Sequence, residues 1–285
     1  MNTVALWFDG GGQYGFGNVR RSLGLGCFLR NQNLEVDYVP LSSEAAALAK
    51  IEMNPRRKAG VIILDVPYLG DAWVREARRW SARILALDFE GNEAPDTVIS
   101  LQPFRSFPAS SKVECGVQFA IIRDEIRTSF FSRTKGDEIL VILGGGDQGE
   151  FTTQIVEKLT GLPVCLVQGP LARTLEISAP KLRVLVDPPE LPRLMASCRW
   201  AVTSGGTAML ELLHLEKAVH VVPRTEAEYA FAQRFLEKDA IVGIGIEKLQ
   251  PPTLRQMASC GLLGRHLVDG KGCERITVEV KRLLS

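Results

Sequence analysis

The stretch Thr3-Val-Ala-Leu-Trp-Phe-Asp-Gly-Gly-Gly-Gln-Tyr-Gly-Phe-Gly-Asn-Val-Arg-Arg21 decides the fold. It begins with the apolar run Thr3–Phe8, passes through a glycine-rich turn and enters the segment Asn18–Arg30. Four apolar side chains of that segment recur at helical intervals: Val19, Leu23, Cys27 and Phe28. A strand, a tight turn and a helix that packs on the sheet are the opening of a βαβ unit.

Working outward, three more short runs rich in Val, Ile and Leu read as strands: Leu34–Val39, Gly60–Leu64 and Arg83–Leu87. Strands this apolar must be covered on both faces, which favours a parallel, doubly wound sheet. We therefore predict a Rossmann-like N-terminal half.

The pattern weakens towards a polar linker, placed near residues 130–136, and then restarts. The second series of predicted strands is Glu138–Leu143, Val164–Val167, Leu182–Val186, Trp200–Thr203 and Ala218–Val222. Helices are predicted between them, at Phe151–Leu159, Leu191–Ala196, Ala208–Leu215 and Glu226–Lys238. The predicted class is α/β, with Rossmann-like domains at 1–133 and 137–270 and a C-terminal helix, 273–285, that can cross back to the first domain.

Composition narrows the function classes. The 285 residues carry 34 basic and 33 acidic side chains, so no global field favours nucleic acid as a partner. No apolar run reaches the roughly 18 residues of a membrane span, and no leader-like segment precedes the first strand. We expect a soluble cytoplasmic protein. The six cysteines are scattered without metal spacing, and we expect them to be small buried side chains.

Two glycine-rich turns follow the first strand of each half, at Asp9–Gly17 and at Gly144–Asp147. Glycine lets a ligand approach the main chain, and the N–H groups at the start of the next helix favour an anion such as a diphosphate. Turns at the carboxyl ends of strands are expected to face each other across an interdomain cleft. The alternative is two unrelated tight turns. Both turns contain the G-x-G-x-x-G spacing, at residues 10, 12 and 15 and at residues 144, 146 and 149, but this motif alone is a weak signal, and we predict no nicotinamide cofactor.

A third stretch, 203–211, is a strand end followed by a helix start. Its hydroxyls and main-chain amides suit a phosphate: Ser204, Gly205, Gly206 and Thr207. One turn later, Glu211 suits the vicinal hydroxyls of a ribose. The alternative is a capped helix with a solvated glutamate. No Walker A, G-x-S-x-G or H-E-x-x-H sequence is present, and no metal site is predicted.

Four stretches together resemble a known family: Gly15-Phe-Gly-Asn-Val-Arg-Arg21, Cys115-Gly-Val-Gln-Phe-Ala-Ile-Ile-Arg-Asp-Glu125, Gly144-Gly-Gly-Asp147 and Ser204-Gly-Gly-Thr-Ala-Met-Leu-Glu211. They are similar, in order and spacing, to the UDP-sugar hydrolases of the pseudaminic acid pathway and the spore-coat polysaccharide proteins of SpsG type. This resemblance spans most of the chain and implies the GT-B arrangement, as in the lipid-linked N-acetylglucosaminyltransferase of peptidoglycan synthesis.

The resemblance also implies roles for individual residues. The C-terminal domain would hold UDP, with Gly144, Gly145 and the 204–207 turn near the diphosphate, Glu211 on the ribose, and the Leu185–Val186 backbone beside uracil. The N-terminal domain would hold the sugar and the attacking water, its sugar and phosphate side shaped by Gly15, Gly17, Arg20 and Arg21.

One departure from the family bears on catalysis. The family motif has a histidine that is taken to activate water, and here that position is Asn18. A carboxamide is not basic near neutral pH, so this residue can hold a nucleophile or cap a helix but cannot act as a general base. Four carboxylates near strand ends remain as candidate bases: Asp9, Asp65, Asp88 and Glu90. We predict Asn18, Asp65 and Asp88 as the catalytic group.

The predicted function is processing of a nucleotide-sugar, UDP-linked by resemblance, in surface-glycan biosynthesis, without a cofactor. The nearest type is hydrolysis at the anomeric carbon with release of UDP. Two alternatives remain open: a GT-B glycosyltransferase, and a catalytically silent nucleotide-sugar-binding protein, which the His-to-Asn change motivates.

Overall fold

The computed structural model describes residues 3–11, 15–53, 55–67, 70–102, 107–130, 136–144, 149–170 and 177–285. The chain divides into two compact units. Unit 1 comprises Met1–Arg123 and Gly270–Ser285, and unit 2 comprises Asp124–Asp269. The boundary therefore lies before residue 124, whereas the sequence analysis placed residues up to 133 in the first domain.

Unit 1 alternates strands and helices along the chain. In order, the elements are β1 (Thr3–Phe8), α1 (Gly17–Asn31), β2 (Glu35–Pro40), α2 (Ser43–Ala49), β3 (Val61–Asp65), α3 (Asp71–Arg78), β4 (Ile84–Leu87), β5 (Thr97–Ser100), β6 (Lys112–Cys115) and, from the end of the chain, α10 (Gly272–Leu284). The described strands form a parallel sheet in the order β2-β1-β3-β4-β5-β6. The strand order reverses between β1 and β3, which is where open α/β sheets bind ligands.

The sheet of unit 1 is buried on both faces, as its unbroken apolar strands require. One face packs against α1 and α10, and the other packs against α3. On α1 the sequence-predicted stripe is partly wrong. Cys27 is exposed, and the buried stripe is Val19, Ser22, Leu25, Gly26 and Leu29. Gly26 belongs to it because the Tyr38 ring approaches so closely that a Cβ there would lie 2.3 Å from a ring carbon.

Unit 2 repeats the same plan. Its elements are α4 (Asp124–Ser129), β7 (Ile139–Ile142), α5 (Glu150–Lys158), β8 (Val164–Gln168), β9 (Leu182–Val186), α6 (Leu191–Ser197), β10 (Trp200–Thr203), α7 (Thr207–His214), β11 (Val219–Val221), α8 (Glu226–Leu236), β12 (Gly243–Ile244) and α9 (Leu254–Leu267). The described strands form a parallel sheet in the order β12-β11-β10-β7-β8-β9. Its strand order reverses between β7 and β10.

Helix α10 returns to unit 1 after the whole of unit 2. Its apolar side chains Ile276, Val280 and Leu283 lie in the same core cluster as the inner residues of α1. Polar contacts fix it at the sheet edge, where Lys112 donates to Glu279 at 2.5 Å and Arg282 donates to Thr97 at 2.7 Å. The last helix of the chain is therefore part of the first unit.

Candidate functional site

At the reversal point of unit 1, three polar side chains of α1 converge on Asp65, the last residue of β3. Its carboxylate is fully buried. Ser22 donates to Oδ2 at 2.6 Å, and Asn18 donates its amide to Oδ1 at 3.2 Å. Arg21 donates through Nε at 2.9 and 3.0 Å and through Nη2 at 2.5 Å. The helix that starts after β1 thus places one face of side chains against the end of β3.

Arg21 links this buried carboxylate to a second one. Its Nη1 donates to Oδ2 of Asp88 at 3.0 Å, while its other nitrogens are held by Asp65. Burial alone lowers the pKa of the Arg21 guanidinium, but the charges of Asp65 and Asp88 and the hydrogen bonds to both outweigh it and raise that pKa above its ordinary value. Arg21 is therefore a permanent cation between two carboxylates.

Asp88 is the more open of the two carboxylates, with its side chain 25% exposed against 0% for Asp65. It follows β4 in the left-handed backbone region, with φ 54°, and its Oδ1 accepts from the Leu101 amide at 3.1 Å. A non-glycine residue in that region is uncommon, and aspartate tolerates it better than most. The network of the unit 1 site, defined as Asn18, Arg21, Asp65 and Asp88, therefore presents Asp88 towards solvent.

Asn18 does not cap α1. The N-cap position is Phe16, whose side chain makes no capping hydrogen bond, and the Asn18 amide points to Asp65 instead. The preceding turn is closed by a two-way main-chain bridge between Gly11 and Gly15, at 3.1 and 2.6 Å. Gly15 has φ 81°, a conformation that glycine adopts without strain.

The remaining predicted residues of unit 1 lie beside the network rather than in it. Gly17 is the first residue of α1. The guanidinium of Arg20 lies 4.6 Å from the centre of the Phe16 ring, in a cation–π contact. Of the other carboxylates, Asp9 accepts from Ser42 at 2.5 Å and Glu90 is exposed. The sequence analysis named both as candidate bases but did not include them in the predicted catalytic group.

Unit 2 brings Gly144 and Ser204 together at its own reversal point. A Cβ built on Gly144 would lie 3.8 Å from Oγ of Ser204, and Gly144 itself has φ 80°. Gly145, which was predicted to lie near a diphosphate, falls outside the described residues, as does the rest of the 145–148 turn. Ser204 is buried at the carboxyl end of β10.

The start of α7 has main-chain N–H groups without a side-chain cap. Its N-cap residue is Gly206, and the helix proper begins at Thr207. The two glycines before it differ. A Cβ on Gly206 would meet only Oγ of Ser204, at 3.9 Å, whereas one on Gly205 would lie 2.7 Å from the Glu228 carbonyl of α8. Gly205 is therefore required for packing, independently of any ligand.

Glu211 is buried, 3% exposed, on the first turns of α7. The alternative of a solvated glutamate is therefore wrong. Leu185 and Val186 end β9, two strands away from β7, and Val186 is 57% exposed. These two residues are thus in unit 2 but not adjacent to the 204–207 turn.

Two further polar groups at this sheet edge were missed by sequence reasoning. Oγ1 of Thr203, and both Oε1 and Nε2 of Gln168, are buried without a hydrogen-bond partner among the described residues. A buried polar atom without a partner is costly, so native proteins contain few. In the sequence, each of these residues is only a polar side chain at the end of an apolar strand. The periodicity of apolar residues does not show that such a side chain is buried or unpaired.

Two of the histidines, His214 and His220, are buried. His214 is buried against Arg265, and burial together with that cation lowers its pKa to about 4. Burial also lowers the pKa of His220, partly opposed by a contact of 2.9 Å between its Nε2 and the Gly245 carbonyl. Across the part of the chain that the structure describes, no three His, Cys, Asp or Glu side chains are grouped so that they could hold a metal ion. Nor does any described helix combine the length and apolar character of a membrane span.

Comparisons with known proteins establish the fold. No protein-family profile matches the chain. The uncharacterized protein MJ1062 of Methanocaldococcus jannaschii is 23% identical over 82% of this chain and 58% of its own length, so the chain spans less than two thirds of that relative. Among solved structures, MurG of Acinetobacter baumannii superposes with a TM-score of 0.62 at 13% identity, covering 98% of this chain and 99% of MurG.

Two more structures agree over nearly the full length. The calicheamicin glycosyltransferase CalG4 has a TM-score of 0.64 at 14% identity, covering 99% and 98% of the two chains. MnaA of S. aureus, solved with UDP, has a TM-score of 0.63 at 11% identity, covering 100% and 97%. The chain has the GT-B fold. Identities this low show the architecture, and the two parallel sheets described above are its two halves.

Proposed function

We propose that this protein processes a nucleotide-sugar, with unit 2 binding the nucleotide and unit 1 acting on the sugar. The observation that carries the proposal is the uncapped start of α7 beside Ser204 and Gly144 at the reversal point of unit 2. This arrangement suits a phosphate, because it combines main-chain N–H groups at a helix start with a glycine that leaves room for a ligand and a nearby hydroxyl.

UDP is the nucleotide we favour. MnaA and a UDP-GlcNAc 2-epimerase of Methanocaldococcus jannaschii, which share this fold, were both solved with UDP. The motif resemblance to UDP-sugar hydrolases supports the same choice. In unit 2 we assign the diphosphate to Gly144, Gly145 and the 204–207 turn, and the ribose to Glu211. The uracil ring is assigned to the end of β9, at Leu185 and Val186.

In unit 1 we assign the chemistry to Asp88, with Asn18 orienting the water or acceptor. Asp65 is a positioning residue rather than a base, because it is fully buried and accepts from Asn18, Arg21 and Ser22. Asp88 is partly exposed, and it accepts from Nη1 of Arg21 and from the Leu101 amide. We assign Gly15, Gly17 and Arg20 to the side from which the sugar approaches this network.

The reaction we propose is attack at the anomeric carbon. The oxygen of water, or of an acceptor hydroxyl, bonds to that carbon, its proton passes to the Asp88 carboxylate, and the bond to the diphosphate oxygen breaks. The departing UDP carries the electron pair and is stabilised by the N–H groups of α7. Hydrolysis and glycosyl transfer share these steps and differ only in the nucleophile.

The first experiment measures binding and turnover together. Purified protein is titrated with UDP by calorimetry and incubated with a panel of UDP- and CMP-sugars, with free nucleotide as the readout. We expect UDP to bind and at least one sugar nucleotide to be cleaved. No heat with any uridine or cytidine diphosphate compound contradicts the proposal as a whole.

A second experiment tests the assigned base. Asp88→Asn should lower turnover roughly 10²–10⁴-fold, the usual contribution of a general base, while UDP affinity stays unchanged because the nucleotide lies on unit 2. Glu90→Gln is the matched control on the same segment and should leave turnover intact. Equal turnover in Asp88→Asn and Glu90→Gln contradicts the assignment.

One observation supports the alternative of a catalytically silent nucleotide-sugar-binding protein. The side-chain amide of Asn18 donates its hydrogen bond to Asp65. If the protein binds UDP without turning over any sugar nucleotide, this alternative is supported. Asn18→His then places an imidazole beside a buried carboxylate, the arrangement in which histidine acts as a base. New hydrolysis in Asn18→His, rising with pH through the histidine range, would indicate a binder descended from a hydrolase.

A further inference from the structure

The carboxyl ends of β8 and β9 carry a pair of side chains that the fold leaves incomplete. In the register of these strands Val164 pairs with Leu182, Leu166 with Val184, and Gln168 with Val186. Alternate residues of paired strands share a face, so all three pairs lie on the same side of the sheet. The first two pairs are in the core cluster of unit 2 with Ile155 and Val156 of α5. The third pair lies where that core ends.

Both members of this last pair are in unusual environments. Val186 is 57% exposed, although most valines are buried. Gln168 is 5% exposed, and neither Oε1 nor Nε2 has a hydrogen-bond partner in the part of the chain that the structure describes. An apolar surface next to an unpaired donor and acceptor matches one class of ligand, a flat heterocycle with an apolar face and a polar edge.

The position fits the nucleoside end of a nucleotide. Gln168 lies on β8, and Ser204 follows β10, with β7 between these two strands. Adjacent strands are about 4.8 Å apart, so the two sites are separated by roughly 10 Å along the sheet edge. If the phosphate of a nucleotide binds at the start of α7 and its nucleobase extends towards β9, the nucleobase lies over the Gln168–Val186 pair.

We propose that the Gln168 carboxamide recognises the edge of a pyrimidine base whose face rests on Val186. This inference rests on the proposed nucleotide site of unit 2 and adds a specificity-determining residue to it. A uracil edge offers one N–H donor flanked by carbonyl acceptors, which a carboxamide pairs with through both of its polar atoms. Because the carboxamide is shielded from solvent in this structure, the pairing requires a side-chain rearrangement of the kind that binding sites commonly make.

Gln168→Leu separates this role from a structural one. Leucine is close in volume and removes both unpaired atoms, so we expect the variant to melt no lower than the wild type, since an unsatisfied buried group is lost. Calorimetry with UDP and with inorganic pyrophosphate then measures the site. We expect UDP affinity to fall by about 10-fold, the cost of losing hydrogen bonds in a buried site, with pyrophosphate affinity unchanged.

Controls keep the outcomes distinct. Gln154→Leu alters an exposed glutamine of α5 in the same unit and should bind both ligands as the wild type does. Val186→Ser should weaken UDP and leave pyrophosphate unaffected. If Gln168→Leu keeps the UDP affinity of the wild type, or loses UDP and pyrophosphate equally, the base-recognition role is wrong and the nucleotide site stands. If the wild type binds neither UDP nor pyrophosphate, the proposed function itself fails and this inference with it.

Discussion

At the scale of single residues, Asp65 organises the unit 1 site from below the surface. Its carboxylate accepts from three side chains of one helix and is 0% exposed. A buried carboxylate is tolerated only when it is fully paired, and removing one partner of a buried ion pair leaves the other charge uncompensated. The stability of unit 1 and the position of Arg21 therefore depend on the same ion pair, between Arg21 and Asp65.

Asp65→Asn should lower the free energy of unfolding by about 3 kcal/mol, the usual cost of breaking a buried ion pair. Arg75→Ala is the matched control, because its pair with Glu93 is 60% and 43% exposed and should contribute less than about 1 kcal/mol. Urea denaturation followed by circular dichroism measures both. Equal losses in the two variants would contradict the distinction between buried and exposed pairs.

His214 predicts an acid-sensitive unit 2. Its pKa in the folded chain is about 4, below its ordinary value of 6.5, owing to burial and Arg265 with a smaller contribution from Arg127; the Val268 carbonyl and Asp269 oppose the shift. As pH falls, the unfolded chain takes up this proton first. The His214 contribution to stability is therefore complete above about pH 6.5 and declines as pH falls towards 4.

Thermal unfolding between pH 4 and pH 7 tests this. His214→Gln should flatten the decline by roughly 1–3 kcal/mol relative to the wild type. His266→Gln, which alters an exposed histidine of α9, should leave the slope as it is. An unchanged slope in His214→Gln means that other groups cause the acid sensitivity.

Sequence reasoning can select individual side chains by their chemical type, but it does not predict which of them pair in the folded chain. It named Arg21, Asp65 and Asp88 individually, but 44 residues separate Arg21 from Asp65 and no periodicity joins them. Its stripe on α1 was displaced because Cys27 looks apolar while Ser22 looks polar. In the structure Ser22 is buried because its hydroxyl is consumed by Asp65.

At the scale of elements, the start of α7 contrasts with that of α9. Helix α9 has a complete capping box, in which Gln256 N donates to the Thr253 hydroxyl at 3.2 Å and Thr253 N donates to the Gln256 side chain at 2.9 Å. Helix α7 has Gly206 instead, with no side-chain cap. An uncapped start costs stability, which a bound anion recovers.

The two glycines before α7 should respond oppositely to the same substitution. Gly205→Ser places a Cβ against the α8 backbone and should cost about 2 kcal/mol through overpacking. Gly206→Ser has room, gains a cap of about 0.5 kcal/mol, and should weaken UDP binding because its hydroxyl competes for the same N–H groups. Denaturation and calorimetry measure the pair. A stable Gly205→Ser variant would show that α8 does not pack on this turn.

Strands that contain an apolar run rich in Val, Ile and Leu were predicted well. Two strands of the first sheet, β5 and β6, were missed. Strand β5, Thr-Val-Ile-Ser, is buried but has only two apolar residues, and β6, Lys-Val-Glu-Cys, is largely exposed and lacks an apolar run. Helix α9 was missed as well. Its exposed Leu254, Leu262 and Leu263 blur the period that a helix would otherwise show.

At the scale of the whole molecule, the two units differ in how many segments of the chain they contain. Unit 2 is continuous, whereas unit 1 needs its final helix. Truncation after Asp269 removes three large apolar side chains from the unit 1 core, each worth roughly 2 kcal/mol, and this is comparable with the net stability of a domain.

We expect the truncated chain to lose unit 1 selectively. Amide hydrogen exchange should show unprotected β1–β6 and protected β7–β12. As a control, Val278→Ala alters an exposed valine of α10 and should leave protection unchanged. Uniform loss of protection in both units would indicate that the units do not fold separately.

The return of α10 also sets an order of assembly on the ribosome. Synthesis proceeds from the N-terminus, so every strand of the first sheet emerges before unit 2, whereas α10, one of the helices that cover this sheet, emerges after unit 2. Unit 2 is thus complete before unit 1, and part of the apolar surface of unit 1 stays uncovered until α10 has been made. A nascent chain stalled before residue 270 should therefore attract chaperones to its oldest segment rather than to its newest.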